Sequence, residues 1–432
     1  MKKNVAFTIC AKNYIGLAQI LEQSVRVHNP GVDFFIFVAD EFSLTEKADL
    51  LPPNVIVAKE HIGLPESLWK QMAFQYNLTE FCTAIKPYCF KWLMAEKDYD
   101  GFIYFDPDIY VFNSLDYIYS NLNQYSIIVT PHILNIETNY TGEILEKGVL
   151  FSGIFNLGFL ALRRGEAASK MLDWWGNRLI DKCFAEALDS YFFDQRWMDF
   201  LPGFFDAKTL LISRNIGLNV APWNFFERKI ITKDNQLFVT NRNSSEHEIE
   251  KLIFVHYSGY DYSELKKGNV VQKNIRALKD YEDIRIITNK YRDEIYKEQD
   301  VFDRFIQLQY TYNYFEDGTP ILLFHRRLYF SLLQNNVKYE DPFLTTKNSL
   351  FQLYRKKKIV LKEGKKSVDK ITRHDMGGFK RELYYVNAFT KFLFRIIGCR
   401  KYIMFLRLIR FYSRYEVQIH LLDNKFNKDN LY

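Results

Sequence analysis

Cysteine is scarce in this chain. There are five in 432 residues, at positions 10, 82, 89, 183 and 399, and no two of them form a Cys-x-x-Cys. An odd, scattered set argues against a disulfide framework or a zinc knuckle and predicts a reducing, cytoplasmic setting. Long apolar runs are missing too. No stretch reaches the roughly 18 residues that a membrane-spanning helix needs, and the run after Met1-Lys2-Lys3 ends at Lys12, too early for a signal peptide. Glycine-rich phosphate loops are also absent. Cys10-Ala-Lys-Asn-Tyr14 follows the first predicted strand without a glycine, which excludes a sugar-nucleotide-forming nucleotidyltransferase loop. Gly148-Val-Leu-Phe-Ser-Gly153 has P-loop glycine spacing, but Ile154 and Phe155 stand where Lys and Ser or Thr are required. No internal repeat is visible. Acidic residues thin out at one end: residues 343–432 hold 21 Lys and Arg against 7 Asp and Glu, leaving 37 against 45 for the remainder. A basic tail on an acidic body suggests an anionic membrane surface or nucleic acid as partner. Nucleic acid is the weaker of the two, because no recognisable nucleic-acid fold accompanies the charge.

What is present is a core. A hydrophobic share of 48% and a charged share of 25% describe a globular protein with room for two or three domains. Its centre is the stretch 101–112, where the apolar runs 102–105 and 109–112 flank Asp106-Pro107-Asp108. Burying an isolated charge is costly unless something compensates it. Alternate residues of a strand share a side, so the two carboxylates can converge on one cation. As a bare tripeptide the same residues also describe a turn.

Read in order, 5–10 is a strand, 14–28 a helix stopped by Asn29-Pro30-Gly31, and 34–39 and 55–58 are strands. Strand, helix, strand at this spacing predicts right-handed crossovers and a mostly parallel sheet. Asn77 and Glu80 have capping-box spacing and open a helix to about Lys97, bent by Pro87. Strands follow at 126–130, 155–162, 210–213 and 252–256, with helices at 165–183 and 194–200 and a loop around Trp223-Asn224. Ligand sites in open α/β sheets lie beyond the carboxyl ends of strands, where Asp40, Asp106 and Asp108 fall.

After Tyr262 the texture becomes helical, at 281–315 and 321–333 around a turn at 316–320. Arg355 to Lys358 and 362–370 look like a solvated linker. Residues 383–415, divided at Gly398, carry Arg400, Arg407, Arg410 and Arg414 on one helical stripe, an interfacial pattern that also suits a basic helix docked on the body. The predicted organisation is a domain at 1–262, a helical extension at 263–342 and a basic helical tail at 343–432.

Six pieces in this order carry a resemblance: Phe7-Thr-Ile-Cys-Ala-Lys-Asn-Tyr14, Ile85-Lys-Pro87, Tyr104-Phe-Asp-Pro-Asp108, Phe155-Asn-Leu-Gly158, Phe193-Asp-Gln195 and Val255-His-Tyr-Ser-Gly259. Together they resemble bacterial glycosyltransferases of the GT-A fold, similar to the glycogenin and lipooligosaccharide galactosyltransferase type. The resemblance implies a Rossmann-like mixed sheet and a donor that is a nucleoside diphosphate sugar, with UDP first among the nucleotides. It implies Mn²⁺ or Mg²⁺ held by Asp106, Asp108 and His256, and donor contacts from Thr8, Ala11, Asn13, Tyr14, Asp40, Lys86, Asn156, Gly158 and Gly259. Asp194 and Gln195 match the pair beside the transferred sugar. The acceptor is a saccharide or a lipid-linked one, at the inner face of a bacterial membrane.

The residues taken singly leave plainer readings open: a core histidine for His256, a surface lysine for Lys86, close packing for Gly158 and a helix N-cap for Asp194. One departure stands out. Where the family continues His-x-x-Gly-x-x-Lys, this chain has Tyr262 in place of the lysine. A haloacid-dehalogenase phosphatase, the other Asp-x-Asp reading, fails because Tyr110 replaces the Thr or Val that such enzymes carry, and no lysine-plus-acid motif follows.

Overall fold

The structure is a computed structural model and describes residues 3–43, 46, 51–243, 249–275, 278–360, 379–423 and 425. Two compact units make up the chain, residues 1–64 with 79–310, and residues 65–78 with 311–432.

The strands of the first unit are β1 (Asn4–Cys10), β2 (Val32–Val38), β3 (Val55–Val57), β4 (Gly101–Phe105), β5 (Ile109–Val111), β6 (Ile127–Val129) and β7 (Phe159–Arg163). They continue with β8 (Ala185–Glu186), β9 (Tyr191–Phe192), β10 (Leu210–Ile212), β11 (Arg228–Lys233), β12 (Gln236–Asn241), β13 (Ile249–Lys251) and β14 (Phe254–His256). Seven form the central sheet in the order β10-β6-β7-β4-β1-β2-β3. β1 lies parallel to β2 and β4, β2 to β3, and β6 to β10, while β7 runs antiparallel to β4 and β6. The sheet is therefore mixed, with the predicted parallel part on one side of β7.

The apolar runs of β1 and β4 reflect burial on both faces; every residue of β4 is buried. The helix Ile15–His28 returns the chain from β1 to β2 and buries Leu17, Ile20, Leu21 and Val25. Four differences from the sequence reading have local causes. The helix foreseen from Asn77 to Lys97 is two, Leu78–Ala84 and Lys86–Glu96, and Pro87 sits in the first turn of the second, where its missing N–H costs nothing. The strand foreseen at 155–162 begins only at Phe159, because Phe155 bridges to Pro131 and the Asn156 N–H goes to the Thr130 carbonyl.

The antiparallel sheet β11-β12-β13 was not foreseen. Its sign was the Asp234-Asn235 turn, both residues at positive φ (49° and 59°), between Lys233 and its partner Gln236. Arg355 and Lys356, read as linker, end a helix Leu350–Lys356 whose Leu350, Phe351 and Tyr354 are buried. The other half of that linker, 362–370, lies outside the described residues.

The second unit packs Phe74, Phe315, Leu328, Tyr329, Leu350 and Tyr354 into its own core. The helix Glu66–Gln75 belongs to it, and Arg326 is buried against that helix's end. The guanidinium donates to the carbonyls of Ala73 (3.1 Å), Phe74 (2.9 Å) and Tyr76 (2.7 Å), groups that a helix terminus leaves without partners. Residues 379–412 are helical on both sides of Gly398, whose φ of 73° breaks the run at the predicted place. Among the described residues no helix is long and apolar enough to cross a membrane.

Candidate active site

β5 leaves the central sheet at once and pairs with β14, so His256 stands opposite Ile109. Asp106 and Asp108 lie on the short turn between β4 and β5. That turn is pinned three ways: Ile109 N–H to the Asp106 carbonyl (3.1 Å), Asp106 N–H to that of Gly158 (2.8 Å), and Tyr257 N–H to that of Asp108 (2.8 Å). His256 Nε2 then lies 3.1 Å from Asp108 Oδ1 and 3.7 Å from Asp106 Oδ2. One ligand atom from each of the three residues falls within 4.8 Å of the others. Two carboxylates and an imidazole suit a divalent cation that prefers oxygen, such as Mn²⁺ or Mg²⁺.

The ring of His256 is oriented from behind. Asn156 Oδ1 accepts from Gly158 N–H (3.1 Å) and from the Asn219 amide (3.1 Å), and lies 3.2 Å from His256 Nδ1. An oxygen already held by two donors calls for a proton on Nδ1, which turns Nε2 towards the carboxylates. Gly158 is required by the same contact: a Cβ there would come within 2.4 Å of His256 Cε1 and 2.6 Å of Nδ1. Burial presses the imidazole towards neutrality, but Asp108 and then Asp106 outweigh it and hold the pKa above the usual histidine value. Burial likewise pushes Asp108 up, and the charge and hydrogen bond of His256 bring it below the usual carboxylate range. Tyr262, the residue in the lysine position, donates to Asp108 Oδ2 (3.2 Å) and meets Tyr14 edge-on at 6.2 Å. Its hydroxyl is held protonated by burial and by Asp108.

Beside this cluster lies a buried ion pair. Lys86 Nζ is 2.6 Å from Asp194 Oδ2, with side chains 0% and 4% exposed, and also donates to the Leu157 carbonyl (2.9 Å). The ammonium sits 4.1 Å from the centre of the Tyr104 ring, and the Tyr104 hydroxyl donates to Asp106 Oδ1 (2.5 Å). The two charged groups are thus joined to the carboxylate turn through one ring. Burial raises the Asp194 carboxyl although Lys86 opposes it. Phe193, immediately before, has left-handed backbone (φ 49°). Both ends of the Gln195 amide hold backbone, Nε2 on the Ser152 carbonyl (2.8 Å) and Oε1 on the Leu157 N–H (3.3 Å).

The remaining predicted residues fall as follows. Thr8 is buried in β1, and the turn after that strand carries Ala11, whose carbonyl accepts from Tyr14 N–H, and Asn13. Thr8 Oγ1 and Asn13 Oδ1 are buried with no hydrogen-bond partner among the described residues. Asp40, buried beyond the end of β2, accepts from Glu41 N–H (2.8 Å). Gly259 turns at φ 79°, where a Cβ would meet the Asn274 amide at 2.5 Å.

Two residues escaped the sequence reading. Asn219 (φ 54°) and Trp223 flank Asn156 and His256, the indole at 5.1 Å from the imidazole, and Asn219 Oδ1 and Trp223 Nε1 are buried without a partner among the described residues. Buried polar atoms are nearly always satisfied, so the orphans Asn219 Oδ1 and Trp223 Nε1 beside Asn156 and His256, like those of Thr8 and Asn13 in and after β1, mark places for a polar ligand's groups. Trp223 was read only as loop, and nothing in the sequence pointed to Asn219.

No family model matches this chain. The uncharacterized protein YfnF of Bacillus subtilis (strain 168) is 21% identical over 273 residues, 62% of this chain and 86% of that protein. The galactosyltransferase LgtC, solved with donor and acceptor sugar analogs, is 18% identical over 59% of this chain and 87% of its own, at a TM-score of 0.35. The bifunctional glycosyltransferase WbbM is 12% identical over 70% of this chain and 51% of its own, at 0.37. These identities and TM-scores are low.

Proposed function

We propose that this chain is a GT-A type glycosyltransferase. It moves a hexose or related sugar from a nucleoside diphosphate donor, UDP first among the nucleotides, to a saccharide or lipid-linked acceptor, in cytoplasmic steps of surface polysaccharide or lipopolysaccharide synthesis. The observation that carries this is the convergence of Asp106, Asp108 and His256 on one point, with His256 aimed there by Asn156.

Those three residues hold Mn²⁺ or Mg²⁺, which when bound offsets negative charge on the diphosphate. The chain's own groups do the rest. Tyr262 takes the place of a phosphate-binding lysine and steadies Asp108 with its hydroxyl. Thr8, Ala11, Asn13, Tyr14 and Asp40 receive the nucleoside, for which the buried Thr8 and Asn13 oxygens supply acceptors. Lys86 holds Asp194 towards the sugar, where a carboxylate stabilises positive charge developing at the anomeric carbon. Asn156, Gly158 and Gln195 line the sugar's place, Gln195 by fixing the backbone of Leu157. No second carboxylate in this set is free to act as a base on the acceptor, which favours retention of configuration.

Calorimetry with Mn²⁺ and the diphosphates of uridine and guanosine tests the reading. Asp108→Ala should weaken metal-dependent nucleotide binding at least about tenfold, which is roughly 1.4 kcal/mol, with circular dichroism unchanged. Equal affinity in the folded variant would overturn it.

A further inference from the structure

We infer that residues 383–415 form an interfacial module whose partner is an anionic lipid surface. No residue from 381 to 418 is buried, yet more than half of the large apolar side chains exposed among the described residues fall within 383–415. Soluble proteins rarely leave so large an apolar area in water without a use for it.

Helical geometry sorts these side chains before Gly398 and interleaves them after it. Before Gly398, Lys391 and Arg395 share an arc, and Phe389, Phe392 and Ile396, all at least 58% exposed, occupy the opposite one. After it, Arg400, Arg407 and Arg410 share an arc, while Lys401 falls between Leu408 and Tyr412 on the other side and Ile403 falls among the arginines. In both helices the exposed apolar side chains outnumber the cations. The positive φ of Gly398 lets the second helix change direction, with Phe394 and Tyr402 in edge contact across the break at 5.3 Å. Both short helices thus present exposed apolar side chains together with cations.

Charge decides what covers them. Residues 383–415 contain seven Lys and Arg and no Asp or Glu. A second copy of the chain would bring the same positive stripe against itself. Nucleic acid would match the cations and leave the more numerous apolar side chains in water. A bilayer surface rich in anionic lipid covers both, the apolar side chains among the acyl chains and the cations at the headgroups. Neither helix is long and apolar enough to cross.

The full chain should be used for the test, since Ile419 and Leu422, beyond the segment, belong to the second unit's core. The assay is co-sedimentation with vesicles of phosphatidylglycerol and phosphatidylcholine in equal parts, against phosphatidylcholine alone. The variants are Arg400→Gln/Arg407→Gln/Arg410→Gln, which spares Arg414 beside Glu416, and Phe389→Ser/Phe392→Ser. The intact chain should pellet with the anionic vesicles, and each variant at least about tenfold more weakly at equal thermal stability. Raising salt, which shortens the Debye length from about 10 Å at 0.1 M, should release it. Cys399, exposed at the break, can carry a polarity-sensitive dye whose emission should shift to the blue on the anionic vesicles. No pelleting of the intact chain, equal recovery of chain and variants, an unshifted dye, or a dimer that the variants abolish would each overturn the proposal.

Discussion

Two side chains set the chemistry at the residue scale, Gly158 by its absence and His256 by its charge. Gly158→Ala places a methyl group inside the imidazole's radius. The ring must turn, at a cost of about 1–3 kcal/mol from overpacking, and Mn²⁺ affinity should fall with little change elsewhere; isothermal titration with Mn²⁺ reads it. His256 also gives a pH signature. Its folded pKa is raised, so the protonated ring stabilises the metal-free chain fully below about pH 6.5, and that contribution is lost as pH climbs through the raised value. Asp108 is depressed and works the other way, its contribution present above about pH 4 and lost on acidification. His132 and His325, pressed by burial to about 4, destabilise the fold as pH falls, so the contribution of His256 is read as the difference between wild type and His256→Asn. In EDTA that difference should shrink as pH rises from 6.5; in Mn²⁺ it should grow, because the cation replaces the proton. Denaturation at several pH values, with and without metal, checks both signs.

At the element scale, what holds distant segments together is buried charge. Lys86 opens the helix Lys86–Glu96 and Asp194 precedes the turn Gln195–Phe200, 108 positions apart in sequence. Removing one partner leaves the other charged and dry, so Lys86→Met should destabilise by about 3–5 kcal/mol, more than Lys86→Arg, measured by denaturant titration. Arg326→Met should cost a comparable amount, because it strips donors from the carbonyls that end Glu66–Gln75. Neither pairing could be foreseen. The sequence shows a lysine on a helix and an aspartate before one, and chain separation hides their meeting. Local signals fared better. Alternating strands and helices, the apolar runs around 101–112 and the break at Gly398 are legible because they are set by neighbouring residues. Helix Glu66–Gln75 is not, since its ending is supplied by an arginine some 250 positions later.

Across the whole molecule, the legible part of the site is the part made by one short turn. Asp106 and Asp108 lie two residues apart, and His256 was placed with them by resemblance; the structure brings it to 3.1 Å because β5 abandons the central sheet for β14. Asn219 and Trp223 arrive from a loop with no periodicity to betray it, and only their unpartnered atoms reveal them. This assembled site has a thermodynamic consequence. If the diphosphate and the cation meet at the same carboxylates, each must raise the other's affinity by one common factor. Either ligand stabilises the fold by RT ln(1 + [L]/Kd), about 2.7 kcal/mol at a hundredfold excess over Kd. Together, UDP and Mn²⁺ should therefore raise the melting temperature by more than the sum of their separate shifts. EDTA should remove the excess, and Asp106→Asn/Asp108→Asn should show none of it. The same factor should appear when Mn²⁺ is titrated with and without UDP and when UDP is titrated with and without Mn²⁺. Additive shifts, in a wild-type chain that binds both ligands, would mean that the nucleotide sits elsewhere than on the metal.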